Sequence, residues 1–284
     1  MYDRQRKSRY LSLCVDNQLS LIAGARDTDP VRGLTHSFYK YPARFSPSFV
    51  RAAIQAFTKP GDLIIDPHVG GGTTLVEALA NGRDAIGVDI SELAEFVARV
   101  KTTVYSEAEL DTLNIWSRLI ASAIDMHKST IYFNDYAELG YYRHLDHPSR
   151  WRLRKAIEQA LWSAIKLGTP RLESFGRCVV LRAAQWALDG RSKQASVDEF
   201  REFTETTAIA MVEGARKLRA AATGSCSRGR VEVIQRSAAG LEHDDRIKGK
   251  RAPKLVVTSP PIRECMFCTT DGRSTVGKKR PYHS

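Results

Sequence analysis

Two acidic residues and a glycine cluster are the groups in this 284-residue chain whose types and spacing could do chemistry. Asp66-Pro67 is followed by Gly70, Gly71 and Gly72, then by Thr73-Thr74, and Asp89 stands 23 positions beyond Asp66. Glycines let a backbone come close to a bound nucleotide, and a helix opening at Thr73 offers unpaired N–H groups. An acid about 20 residues past such a turn can take both hydroxyls of a ribose. These residues in this order point to a site for a nucleoside-type cofactor; for the loop alone, a tight strand-to-helix turn is the alternative. No Lys follows the glycines, so the loop is not a P-loop and phosphate transfer is disfavoured. The absence of a clean G-x-G-x-x-G speaks against NAD and FAD.

The elements that must position these groups are legible around them. Leu63-Ile64-Ile65 is short, branched and preceded by Pro60-Gly61, and reads as a buried parallel strand. TTLVEALANG is a helix, and Ala85 to Val88 is a second strand ending at Asp89. The chain continues as helix in SELAEFVARVKTTVY, with Ser91 at the cap and Glu92 and Glu95 suited to its positive end. From about Ser106 to Ala222 apolar residues recur at helical spacing, and two further strands, RVEVIQ and LVVTSPP, follow at Arg230 and Leu255.

DPHVGGGTT resembles the DPF-x-G-S-G-T-T motif of the amino-methylating DNA methyltransferases, which use S-adenosylmethionine; it departs at His68, usually Phe, and at Gly71, usually Ser. LVVTSPPI, Leu255 to Ile262, resembles the family's second signature, [DNS]-P-P-[YFW] at a strand end. Ahead of the glycines, His36, Tyr39, Tyr41, Pro42 and Phe45 resemble its segment H-x-x-Y-x-Y-P-A-K-F, with Arg44 in place of the Lys. An aromatic loop packed over the sheet edge is the alternative for that segment.

The resemblance implies an α/β fold: a Rossmann-like methyltransferase sheet with helices on both faces, incomplete at the C-terminus, plus a mostly helical insertion. It divides the chain into an N-terminal segment and cofactor half (1–105), the insertion as a candidate target-recognition region (106–225), catalytic-motif strands (226–262) and a tail (263–284). It assigns S-adenosyl-L-methionine to Tyr39, Asp66, Pro67, Gly70, Gly72, Thr73, Thr74 and Asp89, with Tyr39 in the segment that helps hold the methionine end. An acid often follows the third strand and faces the adenine; Ser237 stands there instead, with Glu242, Asp244 and Asp245 further along. In the second motif Ser259 would be the side-chain acceptor for an exocyclic amine, Pro260 the source of a carbonyl and Pro261 the stiffener. Gripping both N–H bonds favours a pyramidal nitrogen whose lone pair points at the methyl donor, and the target base must first leave the stack. TSPP rather than DPP favours cytosine N4 over adenine N6.

Lys plus Arg number 43 against 32 acids, a formal +11 that suits a polyanion such as double-stranded DNA. Tyr141, Tyr142, Arg143, His144, Arg150, Trp151, Arg152, Arg154 and Lys155 interleave aromatic and basic groups, suited to phosphate contact and stacking or to a helical subdomain with a solvated basic face. No apolar run approaches bilayer length and no signal peptide is evident, so a soluble, cytoplasmic protein is expected, with a restriction endonuclease as the partner such an enzyme would have. The five cysteines are scattered and imply no disulfide framework, and Cys265-Met-Phe-Cys268 lacks the second pair of a zinc site.

Where the family has an aromatic, this chain has Ile262, and the tail after it alternates like no strand and repeats like no helix. Read with one T inserted after the codon of Pro261, and with codons chosen to suit, the tail becomes YPGVHVLYHRWQVDGRKETP, which restores TSPPY. A single-base frameshift is therefore expected, and little activity from the chain as written. Sequencing the gene from the codon of Val257 past the stop checks this: an added T supports it, and its absence together with tail peptides in the expressed protein rules out a sequencing error. A non-catalytic cofactor or nucleic-acid binder, and methylation of RNA or of a protein glutamine, are the other readings.

Overall fold

The computed structural model describes residues 15–41, 45–128, 145, 147–189, 193–224, 227–244, 246–247 and 252–258. Four parallel strands, β1 (Leu63–Asp66), β2 (Asp84–Asp89), β3 (Val231–Gln235) and β4 (Leu255–Val256), lie in the order β3-β2-β1-β4. Ile65 of β1 stands opposite Ile86 of β2 and Val256 of β4. The chain builds outward from β1 through β2 to β3, then returns to the far side of β1. This reversal between β1 and β4 is the topological switch point, beyond whose strand ends open α/β sheets bind ligands.

Alternation along the strands sorts the core. Ile64, Ala85 and Val257 meet Val50 and Ile54 of α2 (Pro47–Phe57), Leu75 and Ala78 of α3 (Thr73–Ala80) and Ala98 of α4 (Glu92–Thr102). Leu63, Ile65, Ile86, Val88 and Ile234 form the opposite cluster, with Leu241 and Ile247 against them. Burial on both sides explains why β1 reads as a continuous apolar run. A further helix, α1 (Val15–Arg26), lies along α2.

The region between β2 and β3 is helical: α5 (Glu107–Ala123), α6 (Trp151–Ile165), α7 (Pro170–Leu188) and α8 (Val197–Gly224) follow α4. Ser106 and Glu109 close a reciprocal capping box that starts α5. Leu113, Leu153, Phe175, Val179, Phe200 and Met211 of these helices share one core with Phe38, Val100 and Tyr105. At its far end α8 returns to the sheet side, packing Leu218 and Ala222 on Val76 and Leu79 of α3. The whole is a Rossmann-like parallel sheet with helices packed around it. No helix among the described residues is long and apolar enough to cross a membrane.

Candidate functional site

The ends of β1 and β2 lie side by side, and Asp66, Pro67, Gly70, Gly72, Thr73, Thr74 and Asp89 lie at or directly after them. At the end of β1, Asp66 is 3% exposed and its Oδ1 accepts the His68 N–H at 3.1 Å. Beyond it the Gly72 N–H donates to the Val69 carbonyl at 2.8 Å and closes a turn, which the Val69 N–H ties to the Val88 carbonyl of β2 at 2.9 Å. Gly70 and Gly72 take the left-handed φ values of 45° and 77° that favour glycine. At the end of β2, the Asp89 carboxylate accepts the Gly70 N–H on Oδ2 at 2.9 Å and the Ser91 N–H on Oδ1 at 3.0 Å. A carboxylate offers about four acceptor positions, so two remain for hydroxyl donors from a ligand. Ser91 caps α4 as its position predicts, accepting the Ala94 N–H at 3.3 Å.

Gly72 provides no side-chain cap for α3, so no side chain at the cap position occupies the N–H groups at the helix start, where Thr73 and Thr74 are both buried. Tyr41 covers the turn: a Cβ on Gly71 would lie 2.8 Å from that of Tyr41. Tyr39 is half-buried beside it, ring centroids 6.4 Å apart, and burial raises its hydroxyl pKa.

The segment carrying these tyrosines is pinned at three places. The buried His36 Nε2 donates to Glu77 Oε1 of α3 at 2.8 Å, and Arg51 of α2 donates through Nε and Nη2 to the same carboxylate at 2.9 and 3.0 Å. Burial alone would raise Glu77, but His36 and Arg51 more than offset it and hold the carboxyl below its usual range; burial keeps His36 low and neutral. Phe38 meets Phe175 of α7 edge to face. Gln185, also on α7, receives the Lys40 N–H at 3.2 Å and donates to the Lys40 carbonyl at 2.9 Å. Helix α7 therefore holds a segment that sequence places ahead of the sheet.

Desolvation pushes Asp66 up to about 6, against the lowering effects of Thr74 and the His68 N–H. A carboxyl raised on folding contributes stability that is full below its unfolded pKa and lost as pH rises through the folded value. Asp66→Asn is therefore expected to stabilise the ligand-free protein by about 2–3 kcal/mol at pH 7.5 and hardly at all at pH 4, read from melting curves.

On the other side of the switch point the Val257 N–H donates to the Ile65 carbonyl at 3.0 Å, so the chain reaches Thr258 beside the strand that ends at Asp66. Ser259, Pro260 and Pro261 lie outside the described residues, as do Arg44, Cys265, Cys268, Asp245 and 141–144. Asp244 is committed to Arg236 and to Arg246, whose Nη2 lies 2.9 Å away, and these guanidiniums hold it far below the carboxylate range. Arg152 lies over the half-exposed ring of Trp151 at 5.6 Å, whereas Lys155 is spent on the Met126 carbonyl at 2.8 Å. One neighbour escaped the sequence reading: Ile90, next to Asp89, is 74% exposed. A large apolar residue directly after the acid, past the end of β2, is the signal that could have found it.

The family described as DNA methylase matches residues 19–98, which include the tyrosine segment, the glycine turn and Asp89. Over these residues the chain is similar to the DNA amino-methyltransferases. The methylase stretch is 37% identical over 75 residues to the type II methyltransferase M.MjaII of Methanocaldococcus jannaschii, covering 26% of this chain and 14% of that protein. It is 36% identical over 80 residues to the type II methyltransferase M.MvaI of Kocuria varians, covering 27% and 18%. The DNA adenine methyltransferase YhdJ of Escherichia coli is 34% identical over 65 residues, covering 23% and 22%. The matches thus span less than a quarter of these relatives' own lengths. No solved structure matches.

Proposed function

We propose that this methylase transfers a methyl group from S-adenosylmethionine to an exocyclic base amine of double-stranded DNA, with cytosine N4 as the target. The observation that carries this reading is the meeting of the glycine turn and the strand leading to TSPP at one switch point, joined by Val257 to Ile65. The residues suit the donor. Asp89 has acceptor capacity for a ribose, Ile90 an apolar surface for a purine, and the uncapped start of α3, with Thr73 and Thr74, N–H groups for a carboxylate. Gly70 and Gly72 let the backbone approach, Asp66 and Pro67 set the strand end, and Tyr39 borders the amino-acid tail. When bound, the donor supplies an electrophilic methyl group on a sulfonium.

The chain's own residues then hold the acceptor. Ser259 accepts one N–H of the flipped base, the Pro260 carbonyl accepts the other, and Pro261 keeps that carbonyl fixed; as the nitrogen takes the methyl and the sulfur keeps the pair of the broken C–S bond, one of the held protons leaves through its acceptor to solvent, and alignment does most of the work in such a transfer. The helical region 106–225 is the candidate for reading the target, with Trp151 and Arg152 as exposed contacts. The +11 charge fits a polyanion. A type II restriction endonuclease of the same specificity is the partner this reading implies. The similarity to a protein named as a DNA adenine methyltransferase favours adenine N6 as the second reading.

The test compares the chain as written with the version re-read after Pro261, each given labelled S-adenosylmethionine, duplex DNA and structured RNA. The re-read version is expected to yield N4-methylcytosine in DNA, and the written chain, with Ile262 as its fourth motif residue, at least 100-fold less. Label in N6-methyladenine would replace the target base, and label in RNA alone would overturn the proposal.

A further inference from the structure

One buried charge near the site is absorbed by none of the roles above. Lys101, in the last turn of α4, is 1% exposed, yet its Nζ donates to the Gly71 carbonyl at 2.8 Å. Its own backbone carbonyl accepts the Thr35 hydroxyl at 2.8 Å, which ties it to the residue before His36. An ammonium taken out of water costs stability unless its hydrogen bonds are made, so a hydrocarbon chain of similar length would serve the core at least as well. What the amine adds is its hold on Gly71.

The glycine turn is fastened at three points. Gly70 donates to Asp89, Val69 donates to Val88, and the Gly71 carbonyl accepts from Lys101. The first two belong to the strand ends; the third alone reaches the turn from α4. Gly71 and Gly72 lead directly into Thr73, and α3 begins without a side-chain cap. The peptide that Lys101 holds is therefore the last one before the open N–H groups.

We propose that Lys101 is a positioning residue for the cofactor site: by holding the Gly71 carbonyl inward it aims the start of α3 at the carboxylate end of the ligand's amino-acid tail. This rests on the proposed nucleoside site and assigns Lys101 the tail, leaving the nucleoside end to Asp89 and Ile90. The two ends can be separated with two probes. S-adenosylhomocysteine carries the amino-acid tail, and 5′-methylthioadenosine lacks it.

Titration calorimetry of the full chain against both probes, with melting curves alongside, tests the assignment. Lys101→Met is expected to weaken S-adenosylhomocysteine at least tenfold, to leave methylthioadenosine within twofold and to melt within a few degrees of the parent chain. Lys101→Gln, which keeps a donor, is expected to recover part of the loss, and it carries the comparison if Lys101→Met does not fold. Equal weakening of both probes by these variants, or of neither, overturns the proposal. A parent chain that binds neither probe contradicts the nucleoside site itself, whatever Lys101 does.

Discussion

Asp89→Ala is expected to weaken binding of S-adenosylmethionine on the order of 100-fold or more, measured by calorimetry. Two hydrogen bonds from ribose hydroxyls to an ionised carboxylate contribute about 1.5–3 kcal/mol each, and about 1.4 kcal/mol is tenfold in affinity. The same carboxylate also fastens Gly70 and Ser91, so its removal loosens the turn as well as removing the proposed ribose contact. Ser91→Ala removes only the cap of α4 and separates the two effects: it is expected to cost about 1 kcal/mol of stability and to leave affinity within a few-fold. If Asp89→Ala binds like the parent chain, the strand-end acid does not face a ribose.

Glu77→Ala is expected to have the largest effect on stability. It leaves the buried His36 ring and the partly exposed Arg51 guanidinium without their shared acceptor. Breaking a buried pair from one side costs about 3–5 kcal/mol. Because Arg51 is 48% exposed and can turn to water, the expected loss is about 3 kcal/mol. In a chain of this size that is roughly 6–12 °C in melting temperature. Glu77→Gln keeps one acceptor and is expected to lose less than half as much. Since His36 anchors the segment bearing Tyr39 and Tyr41, both variants should also weaken cofactor binding. A Glu77→Ala protein that melts within two degrees of its parent would mean that the network contributes nothing.

Acidification acts on this network and on Asp66 in opposite directions. His36 and Glu77 are both held below their ordinary values, so their contribution is present above the unfolded pKa values and is lost as pH falls. Asp66 is raised, and its protonation favours the fold as pH falls through about 6. A melting profile for Asp66→Asn should therefore decline more steeply below pH 6 than that of the parent chain.

The β1–β2 half was legible because each step is local. A short branched run between Pro60-Gly61 and Asp66 can be little but a buried strand, and left-handed turns at Gly70 and Gly72 need the residue found there. The ends of β1, β2 and β3 fell within a residue of the sequence reading, β2 spanning Asp84–Asp89 against Ala85 to Val88, whereas β4 spans only Leu255–Val256 of the LVVTSPP read as a strand. The links between distant segments were not legible. His36 meets Glu77 and Lys40 meets Gln185 across 41 and 145 positions, and no period or spacing encodes such pairs. A trace of the first existed: Glu77 sits inside TTLVEALA, a helix otherwise without charge, where a carboxylate must find partners. Lys101 gave less, because lysine in the last turn of a helix reads as a favourable exposed charge until its burial is seen.

The most direct measurement of the central claim, that the turn between β1 and β2 is the cofactor site, is amide hydrogen exchange with and without S-adenosylhomocysteine. Added protection is expected over Val69–Thr74 and at Asp89 and Ile90, with α5, whose Ile115 and Leu119 are exposed, unchanged. Protection confined to that helical surface, or none at the glycine turn under saturating ligand, would contradict it.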